Sequence, residues 1–447
     1  MVVMTQSGKP TLAEELLALR GAVARTDPWT HRGRVAGING LEVSIRGLPG
    51  RVGDAVHIDC VDGTRFGEVI AARGDTLSVA LYGSVDQIGV GDVARIGDGG
   101  RSCVVGPSLL GRVIDGMGEP LDGGPPIVGR SVSLANAVPS PLERRAVDQQ
   151  LPVGVRTLDV LCPMGVGQRV GLFGGSGTGK STLFGMMVRG TAAPIRVVAL
   201  IGERGREVRE LVEDEIGDSM ANTIVIAATS DQPALVRRRA AELAMRIAEW
   251  FADEGNDVLL VLDSLTRLAM AQREIGLAAG EPPTTRGYTP SVFALLPSFL
   301  ERAGPRVHGA VTAIFTMLVE GDDQNEPLAD AVRAILDGHI VLDRRRVHAG
   351  IFPAIDPLAS LSRLAPRLLD EVQAEAVSRI RAALAAYEEV RDLVEIGAYQ
   401  RGSNPLADAA MDIRPELDAF LKQTGDDQAP VDDSWRQAVG LASRLPR

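Results

Sequence analysis

Lysine is nearly missing from this chain of 447 residues: Lys9, Lys180 and Lys422 are the only three, and arginine carries the rest of the positive charge. Against so broad a bias, a lysine that persists is a candidate for a specific chemical task. Cysteine is as scarce. Cys60, Cys103 and Cys162 are odd in number and widely scattered, which excludes a disulfide framework and zinc-ligand spacing and leaves buried thiols. No uninterrupted apolar run reaches the roughly 18 residues that a membrane-spanning helix requires. The opening stretch MVVMTQSGKPTLAEELL lacks a basic segment followed by an apolar one, so no secretory signal is expected and the chain should remain in the cytoplasm. Positive charge is in deficit as well: 47 basic against 58 acidic side chains give a net charge of -11, which argues against a protein whose main business is to coat nucleic acid.

What is present is the composition of a folded chain, 45% hydrophobic and 23% charged, long enough for two to four domains. Four segments are expected: 1–28, 29–98, 99–366 and 367–447. In the first, Thr11-Leu-Ala-Glu14 reads as a capping box opening a helix with Leu12, Leu16, Leu19 and Val23 on one face, stopped by Asp27-Pro28. Two readings of that face are open: it packs on its own domain, or it docks in a groove of a separate protein. The second segment holds the alternating runs RVAGI, LEVSI, AVHID, FGEVIAA and LSVALY between Gly and Asp turns, the pattern of a small β-barrel. Nothing in it looks catalytic. In the third, QRVGLF, RVVALIG, NTIVIAAT, VLLVLD, GAVTAIFTM and HIVLD are apolar runs without strict alternation, as strands buried on both faces require, which implies a largely parallel α/β domain. From about Leu364 the segments LLDEVQAEAVSRIRAALAAYEEVRDLVEI and PLADAAMDIRPELDAFLKQ read as amphipathic helices of a bundle, and the tail after Thr424 is expected to be mobile.

The strand RVGLF runs into Gly174-Gly-Ser-Gly-Thr-Gly-Lys-Ser181 and a helix follows, so motif and context both fit a phosphate-binding loop. A phosphate chain needs a tight wrap of backbone N–H groups. Glycine permits the backbone angles that the wrap demands, and a helix N-terminus adds a favourable dipole. Lys180 would reach the β and γ phosphates and the Ser181 hydroxyl would hold Mg²⁺. VLLVLD ends at Asp263, where a carboxylate at the tip of an apolar strand is costly unless it serves water, a hydroxyl or a metal. A helix-capping role is its alternative, and pairing with the phosphate loop favours the metal. VVALIG leads to Gly202-Glu203-Arg204-Gly205-Arg206-Glu207, again at a strand end. Hydrolysis needs a carboxylate to orient and deprotonate water, for which Glu203 is the first candidate; the alternative is that Glu203 and Glu207 cap the next helix.

Together these motifs resemble the ATPase family that includes the rotary ATP synthase subunits and the ATPases of flagellar and type III export. The family's signature segment stands as Pro353-Ala-Ile-Asp-Pro-Leu-Ala-Ser-Leu-Ser362 followed by Arg363, and LLGRVIDGMGEPLDG and GER fit elsewhere. The resemblance implies an α/β fold: a RecA-like P-loop ATPase core with an N-terminal β-barrel and a C-terminal helical domain, assembled as a homohexamer with each site between two copies. It implies ATP and Mg²⁺ as ligands, with Gly174, Gly175, Ser176, Gly177, Thr178, Gly179, Lys180, Ser181 and Thr182 around the phosphates and Ser181 and Asp263 on the metal. Lys180, Glu203, Arg204 and Arg363 would be catalytic, Arg363 as an arginine finger. Phe352 falls where the family sets an aromatic ring against adenine, the alternative being an ordinary core phenylalanine. Arg267 would link the site to the subunit boundary or form a structural salt bridge. The implied partners are a stator-like regulator on the N-terminal helix, a central-stalk protein, the export gate and substrate–chaperone complexes, with no nucleic acid, at the cytoplasmic face of the inner membrane.

Within the family, Glu203 argues against the noncatalytic synthase subunit. GEPPTTRGYTPSVFALLPSFLERAG and VEGDDQNEPLADAVRAILDGHIVLDR look like export ATPases. Tyr288–Phe293 and Ala329–Arg333 resemble the flagellar branch, while Gln324 and Gly177-Thr178 keep the virulence-type injectisome open. From other classes, a Rho-type RNA translocase would share the core, but the N-terminal strands offer only Phe66 and Tyr82 for base stacking. A ring subunit that binds nucleotide without turnover is opposed by Glu203 and Arg363.

Overall fold

A computed structural model of the protein describes residues 31–97, 101–319 and 326–446. The helix expected over residues 11–28, and Gln324, lie outside the described residues. The chain divides into two compact units, one ending at Gly100 and the other beginning at Arg101.

In the first unit β1 (Gly33–Asn39), β2 (Glu42–Arg46), β3 (Ala55–Cys60), β4 (Gly63–Arg73), β5 (Thr76–Leu81) and β6 (Val93–Gly97) close into a barrel in the order β1-β2-β5-β4-β3-β6. Period-two alternation turns Val43 and Ile45 of β2 inward, where they meet Val35, Val56, Ile58 and Val79 in a sealed core. The closing strand β6 has no counterpart among the runs read from the sequence. It is five residues long and buries only Ala94, so its pattern carries little hydrophobic signal.

The second unit is built on a sheet with strand order β17-β16-β10-β15-β13-β11-β12-β8, and β14 pairs off β15. Its members are β8 (Val113–Asp115), β10 (Arg169–Gly174), β11 (Ile195–Ile201), β12 (Thr223–Ala228), β13 (Asp257–Asp263), β14 (Gly304–Pro305), β15 (Ala310–Leu318), β16 (Gly338–Val341) and β17 (Leu361–Ser362); β7 (Ser102–Val105) and β9 (Arg130–Ser133) form a separate ribbon. All pairings in the large sheet are parallel except those of β14 and β17. Strand β13 is buried from Val258 to Asp263, because α1 (Lys180–Gly190), α2 (Gly205–Glu210), α3 (Ala234–Asp253), α4 (Leu265–Ala278), α5 (Pro290–Leu300) and α6 (Pro327–Ile335) are interleaved with the strands and cover the sheet. The expected α/β class and a strand at each of the six apolar runs are what the fold contains.

Beyond the sheet, α7 (Glu371–Glu395) starts at a capping box in which Asp370 accepts from the Gln373 N–H at 2.8 Å and Gln373 accepts from the Asp370 N–H at 3.1 Å. It packs with α8 (Pro405–Asp412), α9 (Arg414–Leu421) and α10 (Val431–Ser443). The last of these corrects the expectation of a mobile tail. Trp435, Ala438, Leu441, Ala442 and Leu445 recur at helical spacing and are buried against Ile380, Leu417 and Phe420, a face that the polar run GDDQAPVDDS conceals in the sequence.

Candidate active site

The parallel registers bring three strand ends to one edge of the sheet. Phe173 of β10 is level with Met317 of β15, Leu262 of β13 with Phe315, and Leu200 of β11 with Asp263. The residues that follow therefore share one crevice, the position at which open parallel sheets bind ligands. Gly174 leads into the loop, where Thr178 folds back to donate to the Gly175 carbonyl at 2.9 Å and Arg344 donates to the Ser176 carbonyl at 3.4 Å. Gly177 and Gly179 have φ of 77° and 79°, a region closed to most side chains, so glycine is required there. Helix α1 begins at Lys180 with Gly179 as N-cap and no side chain capping it, which leaves its first N–H groups open to an anion.

Lys180 Nζ lies 2.7 Å from Asp263 Oδ1, and the Thr316 hydroxyl donates to the same oxygen. Thr316 was missed by sequence reasoning; its signal is a polar residue inside the apolar run GAVTAIFTM. Ser181, Glu203, Glu207 and Asp263 border one cavity of about 90 Å³. Among the described residues no group of three His, Cys, Asp or Glu is placed to hold a metal unaided. A hydroxyl and one carboxylate beside a phosphate cradle are a hard-oxygen set, which fits a Mg²⁺ that takes its other ligands from phosphate and water.

Glu203 borders this cavity, and among the described residues its buried Oε1 has no hydrogen-bond partner. Burial and the negative charge of Asp263 push its carboxyl up to about 7, Lys180 pulls the other way, and Glu207 adds a further upward push. A carboxyl with a pKa of about 7 at the border of a cavity can take a proton from water, whereas a helix cap would be bonded to backbone N–H groups. Arg204 next to it is 77% exposed on its side chain, paired only with Glu207 at 3.8 Å, and lies outside the residues lining the cavity.

On the other side of α1 a larger cavity, about 540 Å³, is lined by Gly179, Thr182 and Met186, by Phe352, and by the segment Lys422–Asp427. Phe352 is 46% exposed, so it is not a core phenylalanine; a Cβ placed on Gly179 would come within 3.7 Å of its ring. The contribution of residues 422–427 was not read from the sequence, except that Lys422 is one of the three lysines.

Arg363 is not brought to this crevice. Ser362 pairs with Gly338 and the Arg363 N–H donates to the Asp337 carbonyl at 2.9 Å, while the phosphate loop lies beside Leu342, against which Gly174 is packed. Five residue steps, from Asp337 along β16 to Leu342, separate those two levels, about 16 Å at roughly 3.3 Å per residue. The exposed Arg363 guanidinium rests on the Arg333 carbonyl at 3.4 Å. Arg267 packs its methylenes against Gly202 and leaves a buried Nε without a partner, so it forms no salt bridge through that atom.

Comparison with known proteins agrees with this geometry. Residues 154–362 match the nucleotide-binding domain of the ATP synthase alpha/beta family, and residues 369–437 match the C-terminal domain of the type III secretion ATPase EscN. The flagellum-specific ATP synthase of Bacillus subtilis is 45% identical over 95% of this chain and 98% of its own length, and that of Salmonella typhimurium is 46% identical over 96% of each. The assembled ATPase EscN of the enteropathogenic E. coli type III secretion system superposes with a TM-score of 0.88 at 40% identity, over 92% of this chain and 100% of EscN. In complex with its central stalk EscO, EscN matches with a TM-score of 0.85 at 39% identity over the same shares. Fold, motifs and similarity along nearly the whole length agree, and the chain belongs to the ATP synthase alpha/beta family, among the flagellum-specific and type III secretion ATPases.

Proposed function

We propose that this chain hydrolyses ATP as one subunit of a homohexameric ring and so energises the export of flagellar proteins through a type III secretion apparatus. The observation that carries the reading is the crevice in which Lys180, Asp263 and the unpartnered Glu203 oxygen surround an open phosphate cradle. Its assembly state is supported by the assembled EscN and its flagellar assignment by the flagellum-specific relatives.

In this reading the amides from Gly174 to Thr182 wrap the phosphates and Lys180 exchanges its contact with Asp263 for the β and γ phosphates. Ser181 and Asp263 hold Mg²⁺, which when bound neutralises charge on those phosphates. Glu203 orients the attacking water and accepts its proton. Phe352 lies against the base. Arg363 acts on the site of the neighbouring subunit, a role supported by its distance from its own loop, and Arg204, adjacent to Glu203, is read as a further active-site arginine. The central-stalk partner is supported by the EscN–EscO complex. The stator-like regulator on residues 1–28, the export gate, chaperone complexes and a station at the inner membrane rest on family likeness. Among the described residues no helix is long and apolar enough to cross a membrane.

Two inactive variants test the shared site by phosphate release. Glu203→Gln keeps the arginine and Arg363→Ala keeps the base, so a mixed interface that takes its base from the second and its arginine from the first is parental in composition. Random assembly at equal ratio restores about a quarter of interfaces if Arg363 acts on the neighbour, and none if it serves its own subunit. Recovery of turnover is expected. Inactivity of mixtures shown by mass spectrometry to have exchanged subunits would refute it.

A further inference from the structure

The segment that follows α9 turns back across the larger cavity and is clasped from several sides. Gln423 is 5% exposed; its side-chain nitrogen donates to the Gly154 carbonyl at 2.7 Å and the Asp427 carbonyl at 2.8 Å, and its side-chain oxygen accepts from the Arg156 N–H at 3.0 Å. Its backbone N–H donates to the carbonyl of Phe352 at 2.8 Å. Arg156 reaches along the same segment, with Nε on the Phe420 carbonyl at 3.1 Å, Nη1 on Asp427 at 3.1 Å and Nη2 on the Lys422 carbonyl. Arg189, in the last turn of α1, donates to the Gly425 carbonyl at 2.7 Å.

Both N–H donors of the Gln423 amide are committed within the chain, so this side chain is placed to hold backbone rather than to read a ligand. What it holds matters, because five of the twelve residues lining the cavity, Lys422 to Gly425 and Asp427, belong to the clasped segment. The contacts join α1, which opens at the phosphate loop, to the backbone of Phe352. Arg189 also donates to Glu215, which borders the cavity that contains Glu203 and Asp263, whereas the contacts of Gln423 and Arg156 do not reach that cavity.

We propose that Gln423 and Arg156 are positioning residues that fasten residues 422–427 as the wall of the base cavity, and so govern affinity for the nucleoside part of ATP without entering the phosphoryl chemistry. The proposal rests on the reading of that cavity as the base site. Releasing the segment leaves the Arg156 N–H without its partner, takes from the Gly154 carbonyl one of its two donors (the Ala429 N–H at 3.1 Å stays), and lets the wall move, so the cost falls on binding.

The test is a split between KM and kcat, with inorganic tripolyphosphate as a competitor that has no base. Gln423→Met keeps the length of the side chain and loses its hydrogen bonds. It should raise KM for ATP about tenfold with kcat changed less than about twofold, and leave the inhibition constant of tripolyphosphate within about twofold of the parent. Should Gln423→Met fail to fold, Arg156→Lys gives the same comparison, since the single nitrogen of an ammonium cannot span the three acceptors that the guanidinium reaches with three separate nitrogens. An unchanged KM in the folded variant overturns the proposal, and so does an equal rise in both constants, which would mark a general loosening of the core. Failure of tripolyphosphate to compete in the parent enzyme instead refutes the phosphate-loop reading, and the KM of the variant still decides the clasp.

Discussion

Replacing Glu207 by glutamine should move the acid limb of ATP hydrolysis to lower pH. The Glu203 carboxyl is pushed up to about 7 by burial and by Asp263, against the pull of Lys180, with Glu207 contributing through a hydrogen bond and its charge. A base must be ionised to act. With a pKa near 7, about one-tenth of Glu203 is ionised at pH 6 and about nine-tenths at pH 8, so kcat/KM should fall about tenfold between them. Glutamine at position 207 removes a negative charge, and its amide can donate to the Glu203 carboxylate, so both changes favour the ionised base. The limb should shift down but not vanish, because burial, the largest cause, is untouched. The assay is phosphate release at ATP well below KM from about pH 5.5 to 9, where kcat/KM reports groups of the free enzyme. Protonation of ATP is common to both proteins and cancels in the comparison. Superimposable profiles would show that Glu203 does not control the limb, and a shift to higher pH would reverse the assigned interaction.

Asp159 should make stability fall with rising pH. Its carboxyl is buried, and that burial raises it from 3.8 to about 7 in spite of hydrogen bonds from the Val153, Gly154 and Val155 N–H groups. The folded state then holds the proton more tightly than the unfolded one. The stability this gives is complete below about pH 4 and is lost as pH rises toward 7, by up to about 4 kcal/mol. Asp159→Asn should therefore gain on the parent in denaturant melts at about pH 8 relative to about pH 4, and an equal difference at both would discount the buried proton. Trp435→Ala should cost about 3 kcal/mol by emptying the contact of α10 with the bundle. A melting temperature equal to the parent's would mean that this helix is not docked.

What could be read in advance was whatever is encoded locally. The glycine spacing of the phosphate loop, the carboxylate closing VLLVLD and the strand end before Glu203 each announce themselves within ten residues, and parallel pairing then brings them together. The three-residue β8 and the two-residue β17 are too short to leave a hydrophobic pattern. The clasp at Gln423 joins positions 267 residues apart, and no periodicity carries such a contact. Lysine scarcity was the one local hint, because Lys422 stands at the start of that segment. Arg363 was legible only through family likeness; an arginine after two strand residues is otherwise unremarked.

The direction of β17 has consequences beyond one residue. Parallel strands deliver their C-terminal residues to the crevice, so a chain that continued in that sense from β16 would bring its next side chains to its own nucleotide. Instead it loops through Phe352 at the crevice and returns antiparallel, pairing Ser362 with Gly338, so one connection supplies a wall of the local site at its middle and an arginine at the far end of the strand. Folding needs only the first product, since Arg363 is exposed and bonded weakly to one carbonyl. Under the proposed mechanism turnover needs both. Stability then resides within a subunit and catalysis between subunits, and substitutions at Arg363 should silence the ring while leaving each chain as stable as before.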